Sequence, residues 1–106
     1  MRLSPPVLLA AAVLPAALAA AAGMTSISQK GRAFTVRDVQ IARGDTVSFV
    51  NDDDFIHQIY VDSPSFTYES AEQEPGKAVD VRFPTAGTFE VRCHIHPKML
   101  LTVNVR

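Results

Sequence analysis

The chain has 106 residues, 47% hydrophobic and 20% charged, with ten basic side chains against eleven acidic ones and a formal net charge of -1. That balance lacks the basic footprint of a nucleic-acid binder, and the single cysteine, Cys93, excludes an internal disulfide. Residues 1–23 begin with Arg2 and continue as a Leu, Ala and Val run broken by Pro5, Pro6 and Pro15, ending in small residues from Ala19 to Gly23. This pattern predicts an export signal with a small-x-small cleavage site. A retained anchor is the alternative, since about 20 apolar residues span a bilayer, but the prolines and the alanine richness weigh against it.

No twin arginine and no nearby cysteine accompany this leader, so neither folded export nor a lipid anchor is indicated. The expected mature protein is a periplasmic domain of residues 24–106, monomeric and not inserted in the membrane. At roughly 83 residues it can bury one modest core. Domains of this size commonly add disulfides or a metal, and a lone thiol in an oxidising compartment needs an occupant.

Beyond the leader, alternating apolar and polar residues predict short strands. Phe34 and Val36 point one way, and Val39 and Ile41 resume that face after a phase shift at Arg37-Asp38. After a turn at Ala42-Arg43-Gly44-Asp45, Val47, Phe49 and Asn51 share an inner face while Thr46 and Ser48 point outward. Asn51-Asp52-Asp53-Asp54 forms a turn cluster, and Phe55, His57, Ile59 and Val61 form the next inner face. Residues 62–77 are irregular, with a short strand or helical turn near Phe66 to Ser70. Val79, Val81 and Phe83, then Phe89, Val91 and Cys93, then Leu101, Val103 and Val105 line the remaining inner faces. About six or seven such strands without a long helix predict an all-β Greek-key sandwich in a single domain.

The chemistry concentrates in Cys93-His94-Ile95-His96-Pro97-Lys98-Met99. A lone buried cysteine is most often a small hydrophobe, and a lone histidine or methionine is most often packing. Here a thiolate, an imidazole and a thioether follow one another as C-x2-H-x2-M, and outside this stretch the only histidine is His57. A His2Cys set with a weak axial methionine is the donor set of an electron-transfer copper site.

These residues, with Gly44 to Asn51, the Asn51-to-His57 interval and Gly87 to Cys93, give a chain that resembles the cupredoxins, most closely the amicyanin and plastocyanin group. The resemblance covers nearly everything after the leader. It implies a type 1 copper held by His57, Cys93 and His96 in the equatorial plane and Met99 on the axis. Asn51 would brace the ligand loop through hydrogen bonds, and the two-residue gap between His96 and Met99 is the amicyanin-like feature. Gln58 departs from the asparagine many members carry, although its backbone N–H remains available to donate to the Cys93 sulfur.

The implied function is shuttling of single electrons between redox proteins, without enzymatic turnover. A c-type cytochrome and an amine-oxidising dehydrogenase are the partners the resemblance implies, and His96 is the electron port. A copper-handling carrier and a structural zinc site are the competing readings, and methionine at axial spacing favours copper over zinc. His94 lies on the opposite parity from Cys93 and reads as exposed. The Cys-His segment resembles that of multicopper oxidases, but three histidines cannot build their trinuclear oxygen site. Asp52, Asp53 and Asp54 read as a solvated turn rather than an acidic docking patch.

Overall fold

The structure is a computed structural model that describes residues 2–6 and 21–106. Residues 7–20, which carry most of the expected leader, lie outside the described residues. Among the described residues, no helix is long and apolar enough to cross a membrane. Eight strands follow in order: β1 (Met24–Gln29), β2 (Asp38–Ile41), β3 (Thr46–Asn51), β4 (Tyr60–Ser63), β5 (Phe66–Glu69), β6 (Ala78–Arg82), β7 (Gly87–Arg92) and β8 (Leu100–Val105). They form a three-stranded sheet, β1-β3-β6, and a five-stranded sheet, β2-β8-β7-β4-β5.

Two pairings, β1 with β3 and β2 with β8, are parallel, and the others are antiparallel. Strands close in sequence therefore often belong to different sheets. The result is the predicted β-sandwich. Its inner faces carry the expected residues: Val47, Phe49, Val81 and Phe83 come from the small sheet and its margin, while Val61, Phe89, Val91, Leu101 and Val103 come from the large one. The rings of Phe66, Phe83 and Phe89 interlock, with centroids 5.3 to 6.0 Å apart. Full burial of a large apolar side chain contributes about 1.5–3 kcal/mol, so these positions dominate the fold's stability.

Three local expectations are corrected. Val36 is 42% exposed, because Phe34 makes only an isolated bridge to Gln29 and regular pairing starts at Asp38. Phe55 is also exposed, since residues 52–59 form a loop rather than a strand; its ring faces outward beneath the Arg32 guanidinium, 4.3 Å away. Ser48, expected outside, is covered. The first strand, β1, has no counterpart in the alternation analysis. The loop 52–59 and the loop between β7 and β8 meet at the same end of the sandwich.

Candidate metal centre

Three elements bring the predicted donors together. His57 sits in the loop between β3 and β4, held by reciprocal backbone hydrogen bonds with Gln73, at 3.0 Å from its N–H and 2.7 Å to its carbonyl. Cys93 follows the last residue of β7, continuing the inward parity of Phe89 and Val91. His96 and Met99 come from the connection into β8, closed by a turn in which the Met99 N–H donates to the His96 carbonyl at 3.0 Å. His57 and Met99 are fully covered, as is the Cys93 thiol, whereas His96 is half-buried beside exposed Pro97.

The ligand-type atoms of His57, Cys93 and His96 all lie within 4.8 Å of one another. Cys93 Sγ is 3.9 Å from His96 Nδ1, a long and weak contact. The two imidazoles meet at a centroid separation of 4.8 Å and an angle of 59°. His57 Nδ1 is buried and has no hydrogen-bond partner. An orphaned buried nitrogen is costly unless something accepts its lone pair. Its placement beside a thiol sulfur and a second imidazole fits a metal that takes soft sulfur and nitrogen together.

The opposite edge of the His57 ring is fully engaged. Nε2 lies 2.7 Å from Asp53 Oδ2, and the same carboxylate accepts from the Gly31 N–H at 2.6 Å and the Arg32 N–H at 3.0 Å. A carboxylate accepts only, so the ring proton belongs on Nε2 and the lone pair on Nδ1. Burial pushes the Asp53 carboxyl up, but the hydrogen bond from His57 and those from the Arg32 and Gly31 amides outweigh it and bring it to about 2.

Gly31 and Arg32 both have positive φ, 66° and 54°, which turns their successive N–H groups toward one anion. For Arg32 that backbone costs roughly 1 kcal/mol or more. Asp53 is therefore the residue that sequence reasoning missed, having been read as part of a solvated turn. The available signal was its spacing of four residues before His57.

Asn51 also differs from expectation. Its side-chain amide donates to the Phe55 carbonyl at 2.7 Å and the Gln73 carbonyl at 2.9 Å, and its Oδ1 accepts from the Asp53 N–H at 3.0 Å. It thus braces the loop that carries His57 rather than the loop from Cys93 to Met99. Gln58 is buried; its amide donates to the Ile59 and Ser70 carbonyls, and its Oε1 accepts from the His94 N–H at 3.2 Å. The side chain, rather than the backbone N–H, is what ties residue 58 to the ligand loop.

His94 stays outside the donor cluster, as its parity predicted. It stacks flat on Tyr60, at 3.7 Å and 5°, and its Nε2 lies 3.1 Å from Glu69. Burial above all, with the Arg32 charge, holds the His96 imidazole below its usual range, which favours the neutral, metal-binding form.

A β-sandwich that gathers a His-Cys-His cluster at one end, two of its three side chains buried, has the donor set of a copper protein. Residues 21–106 match the family described as copper binding proteins, plastocyanin/azurin family, and the chain belongs to that family. Its cofactor is one type 1 copper. A Cu(I) amicyanin variant superposes with a TM-score of 0.72 at 19% identity, over 78% of this chain and 82% of that one. A purple cupredoxin from Nitrosopumilus maritimus gives 0.68 at 20% identity, over 77% and 99%. A copper-containing nitrite reductase from Thermus scotoductus SA-01 gives 0.69 at 24% identity, over 77% of this chain but 22% of its own. No protein of curated function matches the chain in sequence.

Proposed function

We propose that this protein is a periplasmic electron carrier whose copper would be held by His57, Cys93 and His96, with Met99 as a further, weak sulfur donor. The observation that carries the reading is that the ligand-type atoms of His57, Cys93 and His96 lie within 4.8 Å of one another while His57 Nδ1 is buried without a partner. Copper bound there supplies a one-electron Cu(II)/Cu(I) couple. The chain's own residues supply a compromise: thiolate and thioether suit the reduced ion, imidazoles suit the oxidised one, and a braced pocket limits rearrangement between them.

Burial of Cys93, His57 and Met99 excludes bulk water from the donors. His96, half-buried between exposed Ile95 and Leu100, offers the accessible imidazole edge. That small apolar rim suits the short-lived encounters of redox proteins, which bury little surface. Residues 1–23 serve as the export signal in this reading. A c-type cytochrome and an amine-oxidising dehydrogenase are the partner types that the amicyanin likeness supports.

Visible absorption and electron paramagnetic resonance of the chain with one equivalent of Cu(II) test the assignment. The expected result is an intense blue band with narrow copper hyperfine splitting, both lost in Cys93→Ser. A pale tetragonal spectrum, or a Cys93→Ser variant that stays blue, would overturn it.

A further inference from the structure

We propose that Asp53 is a positioning residue of the copper centre, whose carboxylate locks His57 with Nδ1 toward the metal and whose charge biases the couple toward Cu(II). This rests on the electron-carrier reading and goes beyond it by assigning control of the potential to a residue that is not a ligand. The carboxylate is only 6% exposed, and its partners are the Gly31 and Arg32 amides and His57 Nε2.

Among the described residues no lysine or arginine forms an ion pair with Asp53. The nearby Arg32 guanidinium is turned over the Phe55 ring, and the Lys30 ammonium donates to the Asp52 carbonyl at 2.8 Å. The negative charge is therefore solvated by N–H dipoles and not cancelled by a counterion. Away from bulk water, such a charge acts strongly on whatever binds the far side of the imidazole, and a carboxylate behind a ligating histidine raises the basicity of that ligand. Both effects favour the ion of higher charge.

The paired positive-φ residues make this arrangement a built one. Gly31 and Arg32 lie in the loop after β1, distant in sequence from every proposed donor, yet they present the two amides that hold the carboxylate in place. Asp53 in turn is fixed from behind by the Asn51 side chain. The ring of His57 thus has one allowed orientation before any metal arrives.

Spectroelectrochemical titration of the copper-loaded full chain against Asp53→Asn tests the charge, because asparagine retains an acceptor oxygen for His57 Nε2–H. The expected outcome is an unchanged blue band and hyperfine pattern with the ratio of Cu(II) to Cu(I) affinity lowered about tenfold, a rise of about 59 mV for a one-electron couple. A ratio within twofold of the unmutated chain would overturn the charge assignment.

Nitrogen-15 resonance of the copper-free, unmutated chain tests the positioning independently of any variant. A single Nε2–H tautomer for His57, with its ring proton protected from exchange, is expected; a proton on Nδ1 or an averaged ring would overturn it. If the unmutated chain gives no blue band with Cu(II), the electron-carrier reading fails instead, and the two failures are distinguishable.

Discussion

The two loops that meet at the metal centre are built on opposite plans. The loop that carries His57 is cross-braced by side chains: Asn51 ties it to Phe55 and Gln73, Asp53 ties it to Gly31 and Arg32, and the backbone of His57 pairs with Gln73. Among the described residues, the loop from Cys93 to Met99 has a single internal backbone bond, from Met99 to His96, and its ties to other elements are both made by His94, to Gln58 and to Glu69. Buried sulfur at both ends, rather than hydrogen bonding, anchors it. One loop presents a prefixed ligand, and the other closes around what that ligand holds. In the proposed site, His57 would therefore be presented in a fixed orientation, whereas His96 belongs to the less braced loop.

The largest disruption of this contrast comes from Asn51→Ala. It removes three hydrogen bonds and leaves the Phe55 carbonyl and the Asp53 N–H without these partners, while the Gln73 carbonyl keeps the His57 N–H, at a cost of about 3 kcal/mol to the copper-free fold. Urea unfolding would measure it. A cost below about 1 kcal/mol would mean that the brace is redundant.

Acid should separate the loops further. The Asp53 carboxyl is lowered from 3.8 to about 2, so its stabilisation is full above 3.8 and is lost as pH falls toward about 2. His96 is lowered from 6.5, so the folded state disfavours its proton and stability starts to decline as pH falls through 6.5. Stability of the copper-free chain should thus fall in two stages. Asp53→Asn should remove the lower stage and spare the upper one, as read by urea midpoints across pH.

The smallest effect belongs to His94→Ala. It removes a stack on Tyr60 and an exposed contact with Glu69, each worth about 1 kcal/mol or less, and should leave the blue spectrum unchanged. Loss of copper in that variant would make His94 a ligand and join the less braced loop to the outer sheet face.

The sequence disclosed most where burial and apolarity coincide. Phe89, Val91 and Cys93 alternate with charged or polar neighbours, so their parity also placed the thiol inside. The same rule failed for β1, because one of its inward positions is Gln29, fully buried with both amide atoms unpartnered among the described residues. Alternation cannot register a buried amide. It also overreached at Phe55, where a loop happens to copy strand periodicity. Asp53 was hidden for a related reason: three consecutive aspartates follow Asn51, and local composition alone makes them a turn. The brace depends on Gly31 and Arg32, some twenty residues away, whose positive φ values have no signature at arginine.

Strand β8 lies between β7 and β2, and its partnership with β2 joins segments from opposite ends of the folded domain. During synthesis, Cys93, His96 and Met99 all emerge before the strand that completes the large sheet. Parallel pairing over such a separation is intrinsically slow, because the intervening chain must be ordered before the contact is rewarded. Cys93, buried in the folded domain, is consequently most open to oxidation before β8 has closed the large sheet.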